Sequence, residues 1–393
     1  CVLVFTLPEV LLSLKVQTRS KVLLNIKEGN SDRDKLFRKG NVPDRFWGAP
    51  TEWNKHKKSL DLFEYLVSSD DKTELTRLER FCQSKTEYEK VSDGDCRALW
   101  SYQLTKQPIV GVGNMLGFWH MTKKGAFQVM FANGMNGWFK PCGGDEEFPE
   151  NEVIASNLDF LLGFNRASPT VMREISLESL KEILREQSTS VPLMDHRMHI
   201  LDQTEKICSQ DGMLRGAMIG WWYGISDGRS FPKKVNRFDD DLEVLELRQN
   251  SEPRWLAEQV KNHIFWFLIY QIRRPGKNEH VIHTIRDHSV GPEATLLAVD
   301  LDRADFTSKK KAKEMSFCFV CKIDRETYNS IKGATDFGGM GSTLRQTLLY
   351  DPTGLVRMPR KKARVVDWRL DQVRSCFDEC IAKYGADDVL IDL

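Results

Sequence analysis

The sequence lacks the features that mark several classes of protein. Its 57 Lys and Arg balance 56 Asp and Glu, and the formal net charge of +1 gives no global field that would favour nucleic acid or an anionic membrane. No run reaches transmembrane length, since the most apolar stretch, 1–14, is too short and is interrupted by Pro8. Internal repeats are absent, and the missing Asn-x-Ser/Thr sequon removes one mark of secretion without excluding it. We therefore expect no nucleic-acid partner.

The amino-acid composition is ordinary for a globular protein. Hydrophobic residues make 41% and charged residues 29% of the 393-residue chain, which is long enough for two sub-domains and a large core. The stretch 1–14 predicts either the tail of a signal segment or an ordinary buried element. The first 95 residues show no recognisable chemistry, so 1–95 is predicted to be a stem or extension that packs on the rest of the chain.

A glycine turn, a strand lysine and a helix glutamate occur in this order in the chain. Gly111, Gly113 and Gly117 leave bare backbone that can approach a phosphate closely. Lys140 ends the second of two strand-like runs, and Glu152 lies in the first turn of a helix with an apolar stripe. Protein-kinase small lobes hold a nucleotide with these parts in this order. Each part alone also fits ordinary structure: a hairpin, a surface lysine, or a charge that favours the helix dipole.

A second group of candidate residues lies further along the chain. A strong helix is predicted to begin at Pro253 and to end at the Arg273-Arg274-Pro275-Gly276 segment. The apolar run 295–299 predicts a buried strand, and Asp302 comes soon after it. A carboxylate at the end of a buried strand is well placed to hold a magnesium or manganese ion against phosphates.

Four of the nine cysteines form an informative group. Cys318 and Cys321 are spaced i, i+3 in a strand-like run, 317–323, and Cys376 and Cys380 are spaced i, i+4 on one face of a predicted helix. This pattern predicts either a four-cysteine zinc site or two disulfides, and the residues alone leave both open.

Several segments, taken together and in order, resemble one kinase family. These segments are Trp138-Phe139-Lys140-Pro141, 152–166, 211–218, 299–306, 321–328 and 373–392. Over about 96–393 the chain is similar to the secretory-pathway atypical kinases, which include the Golgi casein kinase, the proteoglycan xylose kinase and the four-jointed kinases.

The resemblance implies an α+β, two-lobed, protein-kinase-like fold. The small strand-rich lobe is expected over 96–166, and the larger, mainly helical lobe over 167–393. The implied function is ATP binding with a divalent ion and phosphorylation of secreted proteins or glycans, a proteoglycan acceptor among them.

The resemblance also implies a role for each site residue. Lys140 would grip the nucleotide phosphates, with Glu152 as its ion-pair partner or as a metal-side carboxylate. Asp302 would bind the divalent ion, manganese or magnesium, and Asn278 matches a second metal ligand that part of the family carries. Asp302 is followed by Arg303, where much of the family has asparagine.

The catalytic aspartate of the family falls on Arg273 in this sequence. That aspartate accepts the proton of the acceptor hydroxyl, which arginine cannot do because it stays protonated. One hypothesis is an active kinase in which Asp287 serves as the base. Another is a pseudokinase that binds nucleotide and supports an active relative as a partner. A third is a zinc-stabilised scaffold without nucleotide.

The C-terminal part of the family leads us to predict two disulfides, Cys321–Cys380 and Cys318–Cys376. Closing a loop of this length stabilises a fold by roughly 4 kcal/mol on the chain-entropy account. Such bridges form in oxidising compartments. We therefore expect the protein in the Golgi lumen or secreted.

Overall fold

The computed structural model describes residues 73–84, 93–113, 126–142, 148–187, 191–221, 225–227, 253–270, 283–285, 295–298, 301–307, 317–336, 338–349 and 354–393. All of these residues belong to one unit of the chain, 47–393. Within these ranges, no helix combines the length and the apolar character that a membrane crossing requires.

Among the described residues, helices make up most of the C-terminal half and flank the strands of the N-terminal half. The helices are α1 (Thr73–Ser84), α2 (Gly94–Lys106), α3 (Pro149–Leu161), α4 (Leu177–Gln187), α5 (Val191–Cys208), α6 (Pro253–Ile269), α7 (Phe317–Val320), α8 (Arg325–Asp336), α9 (Met340–Leu349), α10 (Arg360–Tyr384) and α11 (Ala386–Val389). A short 3₁₀ turn, Leu301–Arg303, precedes α7.

A six-stranded antiparallel sheet forms the strand-rich part. Its strands are β1 (Ile109–Val112), β2 (Phe127–Phe131), β3 (Asn136–Pro141), β4 (Thr170–Ser176), β5 (Ser209–Gln210) and β6 (Met213–Gly220). Their order is β1-β2-β3-β6-β4, with β5 paired to β6. The sheet therefore continues past residue 166, the predicted end of the strand-rich lobe, as far as Gly220.

One face of this sheet packs against α4 and α5. Side chains alternate along a strand, so Phe127, Val129 and Phe131 are buried while Met130 between them is exposed. Phe139 of β3 joins this core, its ring 5.3 Å from that of Phe127. Lys140, the next residue of β3, points to the opposite face of the sheet, where the candidate site lies.

The helical part is organised around α6 and α10. α6 begins at Pro253 as predicted, and its buried side chains recur every fourth residue, at Leu256, Val260, Ile264 and Leu268. The 25-residue helix α10 packs on it with a second apolar stripe. These helices share one core with α3, α8 and α9. The architecture is the expected α+β combination of a strand-rich part and a larger helical part.

Two small sheets complete the described structure. β7 (Ile225–Asp227), β8 (His283–Ile285) and β9 (Thr295–Leu297) form one antiparallel sheet. β10 (Ile323–Asp324) and β11 (Leu390–Ile391) form a parallel pair. The predicted strand at 295–299 is thus present in shorter form.

The prediction of a strand over 317–323 is wrong. Phe317–Val320 is a helical turn, and strand pairing starts only at Ile323. Its phenylalanines and valine favour a strand locally, but the tertiary setting decides. Cys318 lies in the turn and Cys321 directly after it, so both sulfurs reach α10. The bridges are Cys318–Cys376 and Cys321–Cys380.

Candidate active site

Lys140 lies near the end of the strand in the middle of the sheet order. Its neighbours are β2 on one side and β6 on the other, with Ala217 as its direct partner on β6. A Cβ at Gly216 would collide with the Lys140 carbonyl, so only glycine permits this close pairing of β3 and β6. The sheet therefore holds Lys140 rigidly, and its side chain is buried.

Glu152 approaches Lys140 from the first turn of α3. Pro149 starts the helix, and two acidic residues in its first turn, Glu150 and Glu152, match the positive end of the helix dipole. The Glu152 Oε1 atom and the Lys140 ammonium form an ion pair. Their side chains are only 2% and 9% exposed, so this pair is shielded from solvent.

Asp302 completes the group from the 3₁₀ turn. Its Oδ2 atom lies 3.7 Å from the Lys140 Nζ atom. The turn is tied to the start of α3, because the Phe148 amide donates to the Asp302 carbonyl at 2.9 Å. The Asn151 side-chain amide donates to the Ala304 carbonyl at 2.6 Å. Three elements distant in sequence thus bring Lys140, Glu152 and Asp302 together.

Counted over the described residues alone, one ammonium lies between two buried carboxylates, a net negative charge that suits a cation. In the described part of the chain, no group of three or more His, Cys, Asp or Glu forms a metal site on its own. Magnesium is commonly bound by one or two carboxylates together with substrate phosphates. Asp302 is therefore the carboxylate that fits a divalent ion brought by a nucleotide, while Glu152 pairs with the ammonium.

A buried network fixes the helix that carries Glu152. The Arg97 guanidinium of α2 donates to the Ser156 hydroxyl and carbonyl, both at 2.7 Å, and to the Ala167 carbonyl at 3.1 Å. The Asp159 carboxylate accepts from the Arg166 and Ala167 amides at 2.7 and 2.9 Å. The sequence reasoning missed these residues, since an arginine in an N-terminal helix gives no local sign of being buried.

Burial shifts the titration of this network. Desolvation raises the pKa of Asp159 to about 6, although Arg97 and the two backbone amides oppose the shift. Desolvation also lowers the pKa of Arg97 to about 10, against the attraction of Asp159. At the far end, Arg166 donates to Glu258 of α6 at 2.7 Å, so the network joins α3 to the helical part.

Two of the three predicted phosphate-loop glycines lie in or beside β1. The Gly113 amide donates to the Gln128 carbonyl at 2.8 Å. A Cβ at Gly111 would collide with the ends of the Met130 and Gln187 side chains. Their contact with a phosphate stays a prediction, and Gly117 lies outside the described residues.

Three further predicted residues, Arg273, Asn278 and Asp287, also lie outside the described residues. Their roles as the replaced base, the second metal ligand and the alternative base stay predictions.

The described residues contain four disulfides. Both predicted C-terminal bridges are present, and they occupy the sulfurs that a zinc ion would need. The other two, Cys82–Cys96 and Cys142–Cys208, have no regular spacing in the sequence that predicts them. Cys142 directly follows β3, so the second of these bridges anchors the strand that carries Lys140 to the end of α5.

Comparison with known proteins tests the resemblance to the kinase family. No protein-family model matches the chain. Glycosaminoglycan xylosylkinase from Homo sapiens is 24% identical over 266 residues, which are 61% of this chain and 62% of the relative. The Danio rerio protein of the same name is also 24% identical, over 269 residues with the same coverage. The resemblance to the secretory-pathway kinases is confirmed.

The solved structures agree on the fold. The crystal structure of the Golgi casein kinase with Mn/ADP bound has a TM-score of 0.59 and 19% sequence identity, and the match covers 85% of this chain and 92% of that chain. The chain therefore has the two-lobed kinase-like fold of the secretory-pathway kinases. It spans less than two thirds of the length of the xylosylkinases, so activity and substrate are proposals.

Proposed function

We propose that this secretory-pathway kinase-like protein binds ATP with a manganese or magnesium ion. The observation that carries the proposal is the buried Lys140–Glu152 pair with Asp302 3.7 Å from the ammonium. A cation held on a rigid strand matches phosphate oxygens, and a carboxylate on an adjoining turn matches a hard divalent ion. The Mn/ADP complex of a structural neighbour is consistent with this chemistry.

Each side chain has one task in this proposal. The Lys140 ammonium pairs with phosphate oxygens, and Glu152 holds that ammonium in place. Asp302 ligates the ion, with Asn278 as the second ligand. The bound ion would neutralise charge on the phosphates. The buried position of the pair excludes water, which strengthens every charge interaction within the site.

The proposed reaction is phosphoryl transfer to a hydroxyl of a secreted protein or of a glycan, such as a proteoglycan. Its base would be Asp287, since the aligned catalytic position holds Arg273. A glycan acceptor is favoured by the name of the curated relatives, glycosaminoglycan xylosylkinase. The four disulfides indicate an oxidising compartment, and we propose the Golgi lumen or the extracellular space.

The second candidate function is that of a pseudokinase. Arg273 favours it, because a permanent cation cannot accept a proton yet can pair with a nucleotide phosphate. Such a protein would bind ATP and act as an allosteric partner of an active relative.

Labelled-ATP transfer assays distinguish the two functions. Casein-like and xylose-bearing acceptors are supplied with manganese, and the full chain is compared with Asp287→Asn. Transfer that is lost in Asp287→Asn supports the kinase. Transfer absent from both proteins, with ATP binding retained, supports the pseudokinase.

A further inference from the structure

A polar cavity lies beside the start of α3. Its volume is about 600 Å³, which is within the range of small-molecule sites. The cavity is bounded by the first turn of α3, by Arg215 of β6 and by the segment that leads into α10. The described lining residues are Phe148, Glu150, Asn151, Ile154, Arg215, Gly354, Leu355, Arg357, Pro359 and Lys362.

The charges around this cavity are unbalanced. Arg215, Arg357 and Lys362 bring three cations, and Glu150 is the one carboxylate among the described lining residues. In the described part of the chain, neither Arg357 nor Lys362 has a carboxylate within salt-bridge distance. Lys362 is half-buried, and desolvation lowers its pKa even though Glu150 opposes the shift.

The polar groups already present do not saturate these cations. Arg215 donates one guanidinium hydrogen bond, to the Leu355 carbonyl at 2.7 Å. Its Nε atom is buried and has no hydrogen-bond partner within the described residues. The Lys362 ammonium lies 3.5 Å from the Asn151 side-chain oxygen, at the limit of a hydrogen bond. Donors therefore remain available on two sides of the cavity.

The first turn of α10 carries positive charges, which are unfavourable at the N-terminus of a helix. Arg360, Lys361 and Lys362 occupy its first turn, where the helix dipole disfavours cations. The first turn holds no acidic residue, and Pro359 provides no side-chain cap. An anion in the cavity would compensate both the dipole and the side-chain charge of Lys362.

This cavity is separate from the proposed nucleotide site. Glu150, Asn151 and Ile154 line it from one side of α3. Successive residues of a helix are rotated by about 100°, so Glu152 points to the opposite side, toward Lys140. Neither Lys140, Glu152 nor Asp302 is among the described lining residues.

We propose that this cavity binds a phosphate group through Arg215, Arg357 and Lys362. A compact, doubly charged oxyanion matches three cationic side chains lining one cavity and the uncapped start of α10 better than a singly charged carboxylate. The proposal goes beyond nucleotide binding and does not depend on it. The phosphate is either a free ion or a phosphate ester on a larger molecule.

The test is a calorimetric titration of the full chain with inorganic phosphate, and in a second arm with O-phosphoserine, at constant ionic strength. The test variants are Arg357→Gln and Lys362→Gln, and both side chains reach the surface. The matched controls are Arg360→Gln and Lys361→Gln, which remove the same charge from the same segment but do not line the cavity. Thermal unfolding without phosphate checks that each variant folds.

We expect saturable binding in at least one arm, and the tighter ligand identifies the source of the phosphate. Each test variant should weaken binding at least tenfold, as expected for loss of a charge-assisted hydrogen bond, while the controls stay within about threefold. No saturable binding in either arm would overturn the proposal. Equal losses in the test and control variants would also overturn it, because they would show only a general attraction of charge.

Discussion

Lys140 and Glu152 form a buried ion pair that joins the middle strand of the sheet to the first turn of α3. The pair adds a direct contact between α3 and the strand that carries the lysine, beside the Arg97 network that holds the same helix. The same ammonium lies 3.7 Å from the Asp302 Oδ2 atom.

The change Lys140→Met should destabilise the fold strongly, because it leaves the carboxylates of Glu152 and Asp302 close together and without their shared cation. Removing one partner of a buried pair costs about 3 to 5 kcal/mol. Chemical denaturation measures this loss. The control is Arg185→Gln, whose ion pair with Glu178 is exposed and should contribute less than about 1 kcal/mol. A cost for Lys140→Met that is no larger than the control's would contradict a structural role for the pair.

Asp159 predicts a specific dependence of stability on pH. Its pKa in the folded protein is raised to about 6 from an ordinary value of 3.8. A raised pKa means that this group's stabilising contribution is complete below about pH 4 and is lost as the pH rises through 6. The expected loss by pH 7 is roughly 3 kcal/mol.

Asp159→Asn isolates this effect, since an amide oxygen can still accept from the Arg166 and Ala167 amides. The unfolding free energy of the native chain should fall relative to that of the variant between pH 4 and pH 7. Denaturant titrations at several pH values measure both curves. Parallel curves would show that Asp159 does not titrate in this range.

Removing the first of the two C-terminal disulfides should lower the unfolding free energy less than removing the second. The two bridges close nearly the same loop, with sequence separations of 58 and 59 residues. Once Cys321–Cys380 is formed, Cys318–Cys376 closes only a few further residues, which on the chain-entropy account contributes roughly 2 kcal/mol, while the first closure contributes roughly 4 kcal/mol. The paired Cys→Ser variants, compared in denaturation experiments, measure each step. Equal costs for the first and the second bridge removed would contradict this account.

Three site residues could be predicted from the sequence because each lies at the start or end of a helix or strand with a recognisable apolar pattern. Lys140 ends a strand-like run, Glu152 starts an amphipathic helix, and Asp302 comes after an apolar strand. Their common order with a known family then suggested that they meet. The spacing of the four C-terminal cysteines, together with the C-terminal part of that family, led to the two bridges in the same way.

Contacts between residues far apart in the chain could not be predicted because no local sequence pattern indicates them. Arg97 and Asp159 lie on different helices with three strands between them in the chain, and arginine is normally a surface residue. Cys142 and Cys208 are 66 residues apart and have no regular spacing to link them. The residues of 317–320 predict a strand because β-branched and aromatic residues favour one locally, whereas the structure has a helical turn there whose Cys318 is bridged to α10.

Arg273→Asp should create or increase phosphoryl transfer if position 273 corresponds to the catalytic base. A positioned base contributes about 10²- to 10⁴-fold in rate. The measurement is the turnover rate with a xylose-bearing acceptor and manganese, and Arg274→Asp serves as the matched control at the next position. An equal response of the two variants would show that the alignment at Arg273 is wrong.

The most direct test of the account is a titration of the full chain with ATP, with and without manganese. We predict saturable ATP binding that manganese strengthens. Asp302→Asn should weaken binding in manganese at least tenfold, because a metal ligand is lost, whereas Asp305→Asn, three residues away, should leave it unchanged. No saturable binding, or binding that responds neither to manganese nor to Asp302→Asn, would contradict the proposed nucleotide site.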